Sequence, residues 1–456
     1  MARATRVWHS LFTLHPARTV VMAFALVIAI GAGLLSLPFA AESGTATGLV
    51  TSLFTATSAV CVTGLAVVDT GTHWSGFGEG VILALIQVGG FGIMTMASLL
   101  ALLVSGKLRL RMQLTAQAET KSFGIGDVRR VLLGVAGCTV IVELAVGALL
   151  ALRFRFGYGE TVRDAAYLGF FHSVSAFNNA GFGLHPDNLT RYAQDPWVTL
   201  PVSAAVILGG LGFPVLLELL RHRHRRTSTG RRNWTLHTKL TLLTTAALLL
   251  IGTLLTCVLE WTNKGTLGPL DWPGKLLNGF FHSAMSRTAG FNSLDIGALQ
   301  ASTLLVTCIL MFIGGGSAGT AGGIKVTTFA VLAAAIAAEV RGEPDASVMG
   351  RRIAPHVLRQ ALTVALLGVG LVIAATLALS SIARHPFENI LFEAVSAFAT
   401  VGLSTGITAD LPDTGQLILI LLMFVGRLGP ITLVSALALR ERTRRYHLPE
   451  ERPVIG

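Results

Sequence analysis

Eight long apolar runs leave this chain few folds to choose from. They lie near 19 to 38, 80 to 104, 131 to 152, 197 to 220, 238 to 259, 302 to 338, 357 to 383 and 415 to 440. Each reaches the roughly 20 residues that a helix needs to cross the hydrocarbon core of a bilayer. Only 13% of the residues are charged, against roughly 25% in an average soluble domain, and 52% are hydrophobic, so most of the surface must face lipid. The first run follows a short basic leader (Arg3, Arg6, Arg18) and is longer than the core of a signal peptide, so it reads as a retained span.

Basic residues set the orientation, because Lys and Arg accumulate on the cytoplasmic side. About 25 of the 35 fall in the N-terminus, in 105–130, 221–239 and 340–359, and from Arg440 onward; about 8 fall in the connections on the other side. Both termini are therefore expected in the cytoplasm. The formal net charge of +11 does not argue for nucleic acid, since these charges flank spans, where topology and anionic lipid account for them. The four cysteines (Cys61, Cys138, Cys257, Cys308) are far apart and match no zinc, haem or redox spacing, so they read as packing residues.

Between paired spans lie four related segments, each opening on Phe and reaching Gly nine or ten residues later: Phe54-TATSAVCVT-Gly64, Phe171-HSVSAFNNA-Gly181, Phe281-HSAMSRTA-Gly290 and Phe392-EAVSAFATV-Gly402. An acidic residue follows each: Asp69, Asp187, Asp295 and Asp410. The third copy is one residue shorter, which leaves its alignment before Arg287 open. Ten to twelve residues cannot cross a bilayer, and bare backbone is tolerated at membrane depth only inside protein or beside water. A half-helix that dips in and returns as an extended strand meets both limits. The expected fold is thus an all-α membrane protein of eight transmembrane helices, built as four tandem repeats of span, re-entrant pore loop and span around one pseudo-fourfold pore. The repeats fall at 19–104, 131–220, 237–340 and 357–440, between a cytoplasmic N-terminus (1–18) and a cytoplasmic tail (441–456).

Such a pore suits a dehydrated monovalent cation. Consecutive carbonyls turned inward coordinate it, and glycine tolerates the backbone conformations this requires. Pore helices aim their partially negative C-terminal ends at the cavity, which favours cations over anions. The candidate filter residues are Val62, Thr63, Gly64 and Leu65; Asn179, Ala180, Gly181 and Phe182; Thr288, Ala289, Gly290 and Phe291; and Thr400, Val401, Gly402 and Leu403. The fourth group comes close to the potassium-filter run Thr-Val-Gly-Tyr-Gly. Helix-packing glycines are the bland alternative at any single position, but four at one offset between matching spans argue against it. The acidic residues either attract cations or are ordinary solvated loop residues.

The sixth run is interrupted by Gly314, Gly315, Gly316, Ser317, Ala318, Gly319, Thr320, Ala321, Gly322 and Gly323. So many glycines are poorly disposed to stay helical, so a break near mid-membrane is expected, facing protein or water below the filter. We read 313–325 as a gate loop; a plain glycine-rich packing face is the alternative. The pattern Gly-x-Gly-x-x-Gly here follows a span where a dinucleotide fold needs a strand, and Ile324 separates Gly323 from Lys325, which breaks a P-loop. Lys325 and Arg427 are charges in apolar surroundings, functional by default unless they snorkel to the interface.

With these features in view the chain resembles the TrkH/TrkG/KtrB/HKT superfamily of potassium transporters, and within it the KtrB type, which lacks an additional N-terminal helix pair. The resemblance runs from about 19 to 440 and rests on the four filter loops, Ile313-GGGSAGTAGG-Ile324-Lys325-VTT, and Val425-Gly426-Arg427-Leu428-Gly429-Pro430-Ile431-Thr432. It implies K⁺ uptake across a bacterial plasma membrane, K⁺ being the transported ion held at filter carbonyls. In that family serine at the first filter glycine goes with Na⁺ permeation and four glycines with K⁺ selectivity; here the first is Gly64. A Na⁺-permeable or less selective transporter is the nearer alternative. The resemblance also implies a homodimer, a cytoplasmic nucleotide-binding KtrA-type ring as partner, and a pore-facing role for Arg427. It leaves open whether Na⁺ stimulates flux, and no organic cofactor is expected. A membrane-embedded enzyme would need clustered catalytic side chains at membrane depth; His172 and His282 occupy matching repeat positions and read as structural.

Overall fold

The computed structural model describes residues 16–113, 125–224 and 234–429. Four times over, the chain runs through a long helix, a short helix and a second helix or broken helix. The first unit holds α1 (Pro16–Leu35), α2 (Leu49–Val60) and α3 (Gly76–Gln113). The second holds α4 (Ile125–Gly157), α5 (Val162–Phe177) and the pair α6 (Pro196–Leu211) and α7 (Phe213–His224). The third holds α8 (Leu236–Glu260), α9 (Trp272–Met285), α10 (Ala301–Phe312) and α11 (Val326–Val340). The fourth holds α12 (Pro355–Ile382), α13 (Phe387–Ala399) and α14 (Asp413–Leu428). A two-stranded antiparallel ribbon, β1 (Ser347–Val348) and β2 (Arg351–Arg352), lies in the connection to the fourth unit.

Among the described residues three stretches are long and apolar enough to span a membrane outright: Leu132–Gly157, Leu236–Glu260 and Pro355–Ile382. A fourth forms if the pair Pro196–Leu211 and Phe213–Leu220 is counted as one span bent by 101°. Of the other runs, the first lies on the 20-residue α1 and the second on the 38-residue α3, while the sixth and eighth are carried by shorter apolar helices, so eight spans rest there on the repeat pattern and not on length. The causes are local. The sixth run contains no helix from 313 to 325, and the last continues past Gly429 into residues outside the described set. At the bend, Gly212 takes a φ of 90°, and a Cβ there would lie 2.4 Å from Ser317 O. Outward-facing residues such as Ile141 (69% exposed) and Val258 (74%) are large and apolar, as lipid contact demands.

The short helices point inward. Thr161 and Asp271 cap α5 and α9 by accepting from Asp164 N and Gly274 N. Phe54, Phe171, Phe281 and Phe392, which open the four repeated segments, are all fully buried. Two apolar clusters surround them, one drawn chiefly from the first and fourth units, the other from the second and third.

Candidate functional site: four filter loops and the loop beneath them

Each short helix gives way to a loop with one backbone signature. Two residues before the glycine the chain is left-handed, at Val62 (φ 55°), Asn179 (60°), Thr288 (75°) and Thr400 (50°); the glycine is left-handed too, at Gly64 (91°), Gly181 (70°), Gly290 (70°) and Gly402 (95°). Alternating the sign of φ turns successive carbonyls to the same side of the strand. Left-handed β-branched residues are strained, by about 1–3 kcal/mol each, so the strand must be held. It is: Thr63 N donates to Ser58 O (2.8 Å), Ala180 N to Ser175 O (2.7 Å) and Val401 N to Ser396 O (2.9 Å). Ser58 and Ser396 also take the glycine N–H on Oγ, from Gly64 (3.0 Å) and Gly402 (3.1 Å).

In the third copy Ala289 N donates to Met285 O (3.0 Å). Met285 thus stands where the other copies have serine, four residues after the buried Phe, and the missing residue lies between it and Thr288. This resolves the alignment that the sequence left open.

The four glycines meet. A Cβ built on Gly64 would lie 2.3 Å from Ala180 O, on Gly181 2.6 Å from Ala289 O, on Gly290 2.5 Å from Val401 O, and on Gly402 2.1 Å from Thr63 O. Each loop therefore touches the next in chain order and the fourth returns to the first. Above this closed ring lies a cavity of about 250 Å³ lined by all four glycines. Of the four acidic residues only Asp69 lines it; its carboxylate accepts from Thr72 N (2.8 Å) and Oγ1 (2.7 Å). Asp187 pairs with Arg191 (2.7 Å), whose guanidinium holds that carboxyl below the usual range, and Asp295 caps Gly297 N (2.9 Å). His185 also lines the cavity, and burial lowers the pKa of its imidazole.

Below the ring lies the segment 313–325. Its neck is closed by a bridge, Gly314 N donating to Ile324 O (2.9 Å) and Ile324 N to Phe312 O (3.0 Å). Its body lies on the open end of α6: Gly316 N donates to Gly210 O (2.7 Å), Thr320 N to Gly209 O (3.1 Å), and Phe213 N to Ala318 O (3.2 Å). Thr320 Oγ1 donates to Asn179 Oδ1 (2.9 Å) in the second filter loop. A Cβ on Gly322 would lie 2.0 Å from Thr400 Oγ1 in the fourth. The second and fourth loops face each other across the ring, so the segment spans its diagonal. Two basic residues hold it: Lys325 Nζ donates to Ala321 O (2.6 Å), and Arg427 Nη1 donates to Thr320 O. Arg427, 6% exposed, does not snorkel.

Several site residues carry no obvious signal in the sequence. Glu393, fully buried on α13, takes Ser404 Oγ (2.5 Å), Thr405 N (3.1 Å) and Thr408 Oγ1 (2.9 Å), tying down the outward leg of the fourth loop. Glu143 on α4 takes Asn178 Nδ2 (3.0 Å) and Gln87 Nε2 (3.3 Å) behind the second loop. The sequence carries a further repeat: Gly89-Gly90-x-Gly92, Gly209-Gly210-x-Gly212 and Gly426-Arg427-x-Gly429. A Cβ at the first glycine of each would lie 1.8 to 1.9 Å from the carbonyl oxygen of Val60, Phe177 or Phe398, so these glycines let a span seat against a pore-helix end. His172 and His282 bond within the scaffold, Nδ1 to Leu168 O (2.8 Å) and Nε2 to Thr307 Oγ1 (3.0 Å).

Comparison with known proteins agrees with this architecture. The chain is 40% identical over 432 residues to Ktr system potassium uptake protein B of Bacillus subtilis, covering 94% of this chain and 95% of that one. It is 37% identical over 439 residues to the protein of the same name from Vibrio alginolyticus, covering 96% and 94%. It is 35% identical over 452 residues to the potassium/sodium uptake protein NtpJ of Enterococcus hirae, covering 97% and 98%. The fold matches the crystal structure of the potassium transporter TrkH from Vibrio parahaemolyticus with a TM-score of 0.72 at 16% identity, over 92% of this chain and 84% of that one. The sequence pattern of the TrkH family, described as cation transport proteins, matches residues 6–443, and the chain belongs to that family.

Proposed function

We propose that this multi-pass membrane protein takes up K⁺ across a bacterial plasma membrane, with both termini in the cytoplasm. One observation carries the reading: the closed ring of four left-handed glycines, each packed against the preceding carbonyl of the next loop. Carbonyls so arranged can replace the hydration shell of a cation of K⁺ size. The names of the relatives, potassium uptake in the Ktr proteins and potassium/sodium uptake in NtpJ, support the ion and keep a Na⁺-permeable variant as the second reading. Membership in a family of cation transporters argues against the membrane-embedded enzyme.

In this proposal ions enter the cavity beside Asp69, pass the ring, and meet 313–325 as a barrier held across the diagonal by Arg427 and Lys325. Two cations beside the path add electrostatic repulsion to the steric block. The Ktr names also support a partner subunit, which we take to be a cytoplasmic nucleotide-binding ring of the KtrA type acting on a dimer of this chain. The first test is rescue of a K⁺-uptake-deficient bacterium at low external K⁺, with and without that partner. The second is Gly64→Ser, with Gly290→Ser beside it. A side chain at either position displaces a neighbouring carbonyl, so reversal potentials should shift toward Na⁺. Unchanged K⁺/Na⁺ preference in both variants removes the filter assignment.

A further inference from the structure

Three places before the filter glycines stand Cys61, Asn178, Arg287 and Ala399. Asn178 meets Glu143 and Gln87, and Cys61 lies beside Arg427. Arg287 is different: it is 7% exposed, and its Nε and Nη1 have no hydrogen-bond partner among the described residues. A guanidinium keeps its charge in any protein environment, and an unpaired buried charge at membrane depth is among the costliest arrangements a fold can hold. Beside it lies a small, largely enclosed chamber, about 10 Å³ for the centre of a water-sized sphere, lined by Arg287 together with Gly210, Leu211, Thr245 and Gly315 among others. That is room for one small species. Among the described residues no Asp or Glu lines the chamber. The buried carboxylates nearest to the filter loops, Glu143 and Glu393, are engaged elsewhere.

We propose that this chamber holds a single monatomic anion, chloride in the cell, bound by an unpartnered N–H of Arg287. Water could accept such a bond but would leave the charge uncompensated; a halide accepts it and cancels the charge. Gly315 belongs to the segment beneath the ring, and Gly210 O accepts from its neighbour Gly316 N (2.7 Å), so the anion sits at the root of that segment. Arg427, whose Nε and Nη2 are likewise unpartnered among the described residues, donates Nη1 to a loop carbonyl; Arg287 has the anion. Bound halide therefore steadies the segment in the position described, and its removal should loosen it. That last step rests on the segment being the barrier; the site itself does not.

The test uses the full chain in lipid nanodiscs and in crystals. Crystals grown in bromide should show one anomalous peak in contact with Arg287. The unfolding midpoint should be a few degrees higher in chloride or bromide than in gluconate, a difference lost in Arg287→Gln and kept in weakened form by Arg287→Lys, which guards against a variant that simply misfolds. K⁺ flux into liposomes without partner should rise several-fold when chloride is replaced by gluconate. Water alone in the chamber, with equal midpoints in halide and gluconate for the parent protein, overturns the proposal. Bromide at Arg287 with halide-independent flux supports the anion site and counts against the segment as barrier, so the two readings fail separately.

Discussion

Glycine at the ring serves two needs at once. The left-handed conformation is open to it without the roughly 1–2 kcal/mol that other residues lose there, and the space where a Cβ would sit is taken by a carbonyl 2.1 to 2.6 Å away. The second need is the sharper one, because it couples each position to the next loop, so one substitution deforms two quarters of the ring. Asp69 offers a cleaner single-residue test. Asp69→Asn keeps the side-chain oxygen that caps Thr72 N and removes only the charge. We expect uptake at limiting K⁺ to fall about two- to threefold, as for one half-exposed charge near the mouth, with the maximal rate unchanged. An unaltered K⁺ concentration dependence leaves Asp69 as a cap and nothing more.

At the scale of elements, the glycines of 313–325 serve close packing as well as the break in the helix. A Cβ on Gly314, Gly315, Gly316 or Gly322 would fall 2.0 to 2.4 Å from a neighbouring atom, three of them a carbonyl or hydroxyl oxygen and one the Ala321 Cβ. The glycines break the helix, and they also let the segment pack closely on α6 and on two filter loops. The packing-face reading and the gate reading thus describe the same contacts. In the proposed gate, such a closely packed barrier would open as a unit, moved by a regulator that binds the displaced form better. Deletion of 314–323 should raise K⁺ flux into liposomes and make it largely independent of the partner, with selectivity kept by the ring. Arg427→Gln, which removes the charge and shortens the donor that reaches Thr320 O, should give a smaller rise in the same direction. A correctly folded deletion that conducts no better than the parent means the segment is not the barrier.

For the whole molecule the division of the core matters: one apolar cluster unites chiefly the first and fourth units and another the second and third. The segment reaches across both, through Asn179 on one side and Arg427 on the other. A partner that shifts one half against the other would pull on it. The basic run Arg221 to Arg232, which we take as the docking site, and the second contact after Arg440 lie largely outside the described residues; α7 leads into the first of them. Neutralising the arginines of 221–232 should weaken co-purification with the cytoplasmic partner by about tenfold or more if several pairs are lost together, while K⁺ selectivity is retained. Full partner affinity in a folded, inserted variant would falsify the assignment.

The sequence by itself determined the repeated units, the four glycines, the break in the sixth run and the two basic residues beside it. These are local signals: apolar length, an offset from an aromatic residue, and glycine density are each decided within a few residues. Tertiary structure decided the rest. Which unit neighbours which and that the loops close in chain order are decided by contacts between units far apart in the chain, and Thr320 joins Asn179 and Arg427 across 141 and 107 residues. The same holds for Glu143, Glu393 and Arg287. A buried charge is recognisable in sequence only as an expensive residue in an apolar run, and its partner, or the chamber that replaces one, exists only once distant helices are packed around it.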